Sequence, residues 1–221
     1  MTDGPAADAE LAARLRRGDE EAFCRVVEDW TPGMTRVARS FVTTSASAEE
    51  VVQDTWVAVV TAIDTFEARA SLRTWVYRIL VNTAKRRCQR EARTVPWSSW
   101  VTDRDEDGPT VDPARFQGPD EPYPGHWRQF PQAWGSPESR SLATELRATT
   151  EESVARLPVR QRVVITLRDM EGYSSEEVCS ILDISAANQR VLLHRARAAV
   201  RAALEAYFES AETPADGGAR R

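Results

Sequence analysis

The residues best equipped for chemistry lie between Ser71 and Arg93, SLRTWVYRILVNTAKRRCQREAR. From Arg69 to Arg93 there are eight basic residues and one acid, Glu91, in a chain whose net charge is −5. The excess is therefore a local patch on an acidic protein. Cations neutralise phosphates and aromatic rings stack on unpaired bases, so a basic helix carrying Trp75 and Tyr77 suits a nucleic-acid strand. Leu72, Trp75, Val76, Ile79 and Thr83 recur at helical spacing and mark the expected buried face. Tyr77, Arg78, Val81 and Lys85 fall on the opposite side, followed by Arg86, Arg87, Arg90 and Arg93. A solvated helix over core tryptophans would give the same pattern, so this helix alone does not decide the matter.

A second candidate spans Gly172 to Ala203 and has the grammar of a helix-turn-helix. Ser174 or Ser175 is expected to cap a short helix, with Glu176 and Glu177 complementing its dipole. Val178, Ile181 and Leu182 point inward, and Asp183-Ile184 makes the turn, since aspartate tolerates left-handed geometry better than most residues. Ser185 caps the next helix. There Ala186, Gln189, Leu193, Ala196 and Val200 share the inner face, while Ala187, Asn188, Val191 and Arg195 project outward, flanked by Arg190 and His194. An amide, arginines and an apolar group are what major-groove base edges require. Arg197 and Arg201 extend the positive charge.

The elements that must position these residues are helical throughout. The expected fold is all-α, two small helical domains joined by a long Pro-rich acidic linker, the second containing the helix-turn-helix. Residues 9–93 form the first domain. Its first segment carries Leu11, Leu15, Phe23, Val26, Val27 and Trp30, with a break near Gly18-Asp19 and a new helix starting at Thr31-Pro32. A Ser/Thr turn then precedes AEEVVQDTWVAVVTAI, whose apolar stripe is Val52, Trp56, Val59, Val60 and Ile63, with Ser47 and Glu50 spaced as a capping box. Residues 94–137 read as a flexible linker: eight of the twelve prolines lie between Thr94 and Ser141, with an acidic cluster at Asp103, Asp105, Glu106 and Asp107. Trp97, Trp100, Trp127 and Trp134 also lie there, and HWRQFPQAW is the expected docking segment. Residues 138–208 form the second domain, with helices over Leu142–Leu157 and Val159–Met170, and residues 209–221 a disordered tail.

Composition narrows the classes. Three dispersed cysteines, Cys24, Cys88 and Cys179, argue against a disulfide framework or a zinc site. The start MTDGPAADAE has no secretory character, and apolar runs such as WVAVV are too short to span a bilayer, so a cytoplasmic protein without membrane association is expected. Nucleotide-binding, zinc-protease and hydrolase motifs are absent, and only two histidines occur, so no catalytic residue, metal or cofactor is expected.

In this order, AEEVVQDTWVAVVTAIDTF, SLRTWVYRILVNTAKRR and LPVRQRVVITLRDMEGYSSEEVCSILDISAANQRVLLHRARAAVR resemble the extracytoplasmic-function (ECF) group of bacterial RNA polymerase sigma factors. The resemblance covers residues 9–93 and 138–205. It implies a factor that directs promoter-specific initiation by core RNA polymerase. Glu50, Gln53 and Asp54 would grip the β′ clamp helices, and the second domain the β flap. Arg69, Ser71 and Arg73 would line a loop that captures an extruded −10 base, with Asn82 reading a base edge and Tyr77, Arg78, Lys85 and Arg86 along the strand. Ala187, Asn188, Gln189, Arg190, Val191, His194, Arg195 and Arg197 would meet the −35 element. An anti-sigma factor is an implied partner beside promoter DNA. Gln189 and Leu192 depart from the family pattern, which leaves the −35 preference open, and the linker is longer than usual. The promoter elements sit roughly 70 Å apart, two turns of DNA. A coil of about 45 residues spans only ~35–40 Å, so simultaneous binding favours a stretched linker. A stand-alone helix-turn-helix regulator is the alternative, but it leaves the aromatic basic helix unexplained and fits poorly with an acidic chain.

Overall fold

A computed structural model describes residues 5–91 and 140–212, with side chains over residues 6–91 and 145–208. The linker expected at 94–137, its tryptophans and its acidic cluster lie outside the described residues. All regular structure among the described residues is helical. The helices are α1 (Pro5–Arg16), α2 (Glu20–Arg39), α3 (Ser45–Ala62), α4 (Leu72–Glu91), α5 (Arg140–Arg156), α6 (Val159–Ile165), α7 (Ser175–Leu182) and α8 (Ala186–Glu212). None is long and apolar enough to cross a membrane.

Gly18 makes the expected break, with φ at +73°. Asp19 then caps α2 by accepting the Ala22 N–H at 3.0 Å, and Arg14 holds its carboxylate at 2.7 Å. The expected start at Thr31-Pro32 is corrected: α2 runs unbroken through Pro32. Proline removes one helical donor, leaving the Glu28 carbonyl without its partner. Both residues are exposed, so water can meet that carbonyl, while Val26, Met34, Val37 and Ala38 keep the stripe buried. The α3 cap is also corrected. Thr44 accepts the Ser47 N–H at 3.1 Å, whereas Ser47 donates its hydroxyl to Glu91 of α4 at 2.6 Å.

The chain clusters into two compact units. The first gathers α1–α4 with α6, α7 and the start of α8; the second contains α5 and the remainder of α8. Met34, Val37, Val51, Val59, Leu72, Val76, Leu80, Val81, Leu167 and Ile181 are fully buried in the first unit. Each such side chain contributes about 1.5–3 kcal/mol when removed from water. Trp56 adds an edge contact to Phe23 at 5.9 Å and stacks on Trp30 at 6.5 Å. In the second unit, the Tyr207 hydroxyl donates to Glu145 at 2.7 Å. Helix α8 continues through Glu212, into the segment expected to be disordered from residue 209.

After α6 the backbone widens into a single π turn, Thr166–Met170. It closes on Gly172, which takes the left-handed conformation at φ +75°. The Tyr173 N–H reaches back to the Leu167 carbonyl at 3.0 Å. Helix α7 starts with a full capping box between Ser174 and Glu177, and Asp183 ends it in the left-handed region (φ 58°, ψ 55°).

Candidate nucleic-acid and polymerase interface

Helix α4 begins at a built N-terminus. Ser71 accepts the Thr74 N–H at 3.0 Å, and Asp8 of α1 accepts the Leu72 N–H at 3.1 Å. The preceding loop is held from the same helix, where Arg16 donates to the carbonyls of Ile63 (3.3 Å) and Phe66. Phe66 packs on Trp75 with centroids 5.5 Å apart, over a core of Ala12, Ile63 and Leu72. Ala68 at the loop tip has φ +54°, a conformation costing a side-chain-bearing residue about 1 kcal/mol. Helix α1 thus clasps the loop Phe66–Ser71 at both ends. Asp8 and Arg16 were not singled out in the sequence, because their partners are 64 and 50 residues away.

Arg69 is exposed and pairs with Glu67 at 2.7 Å. Further along α4, Arg78, Asn82 and Arg86 are all exposed. Spaced by four, they form one ridge of two cations around an amide. The other predicted residues of this helix are engaged. Lys85 is half-buried, its Nζ donating to the Leu182 carbonyl at the end of α7 (3.4 Å), and burial lowers its pKa. Tyr77 is fully buried, which corrects the expectation of an outward ring; Val81 is buried too. Trp75 and Ile79, expected inward, are only partly buried. The cause is that α4 packs on two sides, against α2 and α3 on one and α7 on another.

Around Tyr77 lies a polar cluster that spacing could not reveal. The Glu171 side chain, only 5% exposed, pairs with Arg36 of α2 and with Arg73 at 3.4 Å. The Arg73 guanidinium stands 5.5 Å from the Tyr77 ring centre and 5.0 Å from that of Tyr173, and the rings are 5.0 Å apart. Thr74 donates to Glu177 at 3.2 Å. Burial, and then the nearby Glu171 charge, push the Tyr77 hydroxyl up to about 12. Burial also raises that of Tyr173. Both hydroxyls and the Arg73 Nε are buried within the cluster.

On α3, Glu50, Gln53 and Asp54 are exposed, and Glu50 pairs with Arg87 at 2.6 Å. Beside them stand Val57, 68% exposed, and Val60, 56% exposed. Val60 was expected inward, so the stripe is corrected to Val51, Val52, Thr55, Trp56 and Val59. Two exposed valines beside acids make a mixed apolar and anionic face suited to a protein partner. The run WVAVV held that signal, masked by a choice of phase.

On α8, Ser185 accepts the Asn188 N–H at 3.2 Å. Ala187, Arg190, Val191, His194 and Arg197 are exposed, and Asn188 and Arg195 partly so. Gln189 is buried on the inner face as its spacing implies, 1% exposed with its amide nitrogen lacking a partner, which corrects its expected place among the −35 contacts. The buried stripe is Gln189, Leu192, Leu193 and Ala196, while Ala186 is exposed. Among the described residues no three His, Cys, Asp or Glu side chains gather as a metal site.

An all-α chain with a basic helix and a capped helix-turn-helix is the architecture of a sigma-70-type factor. The family models bear this out: Sigma-70 region 2 matches residues 26–94 and Sigma-70, region 4 matches residues 148–200, together more than half of the chain. The RNA polymerase sigma-H factor of Pseudomonas aeruginosa is 28% identical over 204 residues, covering 92% of this chain and 97% of the relative. The ECF RNA polymerase sigma-E factor of Escherichia coli (strain K12) is 29% identical over 193 residues, covering 87% and 92%. Among solved structures, CnrH in complex with the cytosolic domain of CnrY is similar in fold. Its TM-score is 0.57 at 24% identity, over 90% of this chain and 97% of that one. The sigma factor RpoE in complex with the anti-sigma factor NepR, from Bartonella quintana, gives a TM-score of 0.53 at 20% identity, over 83% and 96%.

The chain belongs to the ECF group of RNA polymerase sigma factors. It is therefore a non-enzymatic factor for promoter-directed transcription initiation.

Proposed function

We propose that the segment 9–93 binds core RNA polymerase and the melted −10 element, and that 138–208 reads the −35 element as duplex. The carrying observation is the exposed ridge Arg78–Asn82–Arg86 on α4. Arg78 and Arg86 hold the strand backbone while Asn82 reads a base edge. The loop Phe66–Ser71, with Arg69 and Ser71, receives an extruded base. Binding a base only when it is unpaired draws the duplex toward the open form by mass action, so melting needs no catalytic side chain.

Helix α8 lies in the major groove, with Asn188, Arg190, Val191, His194, Arg195 and Arg197 toward the DNA. Val191, 47% exposed, suits a thymine methyl. Gln189 is excluded from this set by its burial. On the polymerase, Glu50, Gln53 and Asp54 meet the β′ clamp helices with Val57 and Val60 as the apolar centre, and the second segment meets the β flap. Residues 94–137 join these two segments. An anti-sigma protein is the expected inhibitor, as the anti-sigma factor NepR accompanies RpoE of Bartonella quintana, and the whole system works in the cytoplasm.

Runoff transcription tests this reading. Purified chain with core polymerase initiates at a cognate promoter, and neither does so alone. Tight sequence-specific duplex binding by the chain without core would contradict it.

A further inference from the structure

Arg73 and Tyr77 belong by position to the strand-binding part of α4, yet Glu171 and Tyr173 cover them within the first compact unit. Arg36 joins them from α2, a helix with no assigned role in binding DNA. We propose that Arg36, Arg73 and Tyr77 form a receptor for a backbone phosphate of the melted promoter strand, and that Glu171 fills it in the free chain as a tethered substitute. The inference rests on the reading of α4 as the strand-binding helix.

Three features make this a site and not a generic ion pair. Two guanidiniums from different helices converge on one carboxylate. One of them also lies against the Tyr77 ring, as an arginine beside a stacking platform does in single-strand grooves. The backbone of α2 is cut back to Gly33 there: a methyl on its Cα would run into the Glu171 carboxylate and the Tyr77 hydroxyl.

Glu171 sets one carboxylate oxygen against each arginine, and the hydroxyls of Tyr77 and Tyr173 and the Arg73 Nε are enclosed with it. Burying that carboxylate costs desolvation that an open state does not carry. The segment that carries Glu171 enters through the π turn and leaves at Gly172, two backbone features that aim Glu171 and Tyr173 at α2 and α4. Further along, Thr74 bonds Glu177 and Lys85 bonds the Leu182 carbonyl, so the same segment occupies both ends of the strand path. The exposed Arg78–Asn82–Arg86 ridge remains for a first encounter. Full engagement requires Glu171 to leave, and phosphate is the anion that replaces it.

The test is anisotropy of the full-length chain with a labelled, single-stranded 15-mer of thymidylate, a probe that presents phosphates and stackable bases without a sequence requirement. If the open form is about a tenth of the population, Glu171→Gln tightens binding by about tenfold. Glu176→Gln, the same charge change at an exposed position of α7, should alter affinity by less than about twofold, as expected for a screened surface charge. Adding Arg36→Gln to Glu171→Gln should weaken binding and flatten the salt dependence by about 0.7 in log–log slope, the value for one phosphate on a single strand. Adding Gly33→Ala to Glu171→Gln changes no charge but sets a methyl in the space of the anion and against the Tyr77 hydroxyl, so it should reverse the gain. Equal gains from Glu171→Gln and Glu176→Gln, or no gain from Glu171→Gln, would overturn the proposal. Arg78→Ala with Arg86→Ala separates it from the underlying reading. If that pair leaves binding unchanged, α4 is not the strand-binding helix; if it weakens binding while Glu171→Gln does nothing, only the receptor proposal fails.

Discussion

The Arg73 guanidinium lies against the rings of both Tyr77 and Tyr173, at 5.5 and 5.0 Å, while its Nη2 reaches Glu171 at 3.4 Å. This divides α4 into two functional stretches. Residues that follow the π turn occupy its N-terminal half and reach Lys85 near its other end, while the ridge at Arg78, Asn82 and Arg86 is open to solvent.

Alkaline titration should sense the closed half. Glu171, paired with Arg36, faces Tyr77 from its own segment, with Arg73 and Tyr173 against the ring. The Tyr77 hydroxyl is raised from 10.0 to about 12. A group with a raised pKa in the folded state favours its protonated form there. Its stabilisation is complete below about pH 10 and disappears as the pH climbs towards 12. The tyrosinate absorbance lost in Tyr77→Phe should therefore appear near pH 12, and move down in Gly33→Ala. A normal titration near 10 in the wild-type chain would mean Tyr77 is not enclosed.

Gln189 gives a stability prediction of unusual sign. Its amide nitrogen is buried without a partner. Replacing an unsatisfied polar group by an apolar one of similar size removes a desolvation cost of about 1–3 kcal/mol. Gln189→Met should raise Tm by a few degrees, at about 2–4 °C per kcal/mol for a chain of this size. Promoter preference at −35 should not change, as judged by transcription from −35 variant templates.

The loop clasp predicts a separation of functions. Asp8→Ala removes the acceptor at the α4 N-terminus, and Arg16→Ala frees the carbonyls of Ile63 and Phe66. Loss of an N-terminal acceptor costs about 0.5–2 kcal/mol. Both variants should bind core normally in co-elution yet form fewer open complexes, since the clasp fixes only the loop Phe66–Ser71.

Val57 should behave as an interface anchor. Its large exposure means that Val57→Asp changes thermal stability by no more than about 0.5 kcal/mol, typical of surface sites. The charge would nevertheless be carried into an apolar contact with core, so affinity measured by competition with another sigma factor should fall by at least tenfold. Unchanged competition would remove this face from the interface.

Much of this was legible in the sequence wherever local chemistry governs the outcome. Asp183 takes the left-handed turn, Ser174 caps α7, Ser185 caps α8, and the break at Gly18-Asp19 stands, because each depends on residues within one turn. The rest depends on what packs against each element. A single apolar stripe implies a helix covered on one side, which puts Tyr77 and Val81 outward, whereas α4 is covered on two. Val60 faced the wrong way because an unbroken run of apolar residues does not fix its own helical phase. Pro32 did not end α2, because the unpartnered carbonyl falls on solvent and the stripe continues beyond it. Glu171 and Gly33 lie 138 residues apart by number and meet through tertiary packing alone, so spacing offered no trace of their meeting.

Permanganate footprinting of a cognate promoter with core polymerase tests the central claim most directly. Thymines around −10 should become reactive only when chain and core are both present. With Asn82→Ala, reactivity should drop by about tenfold, the order expected for one lost base-edge contact, while core binding stays intact. Undiminished opening with Asn82→Ala and with the Arg78→Ala, Arg86→Ala pair would contradict the account.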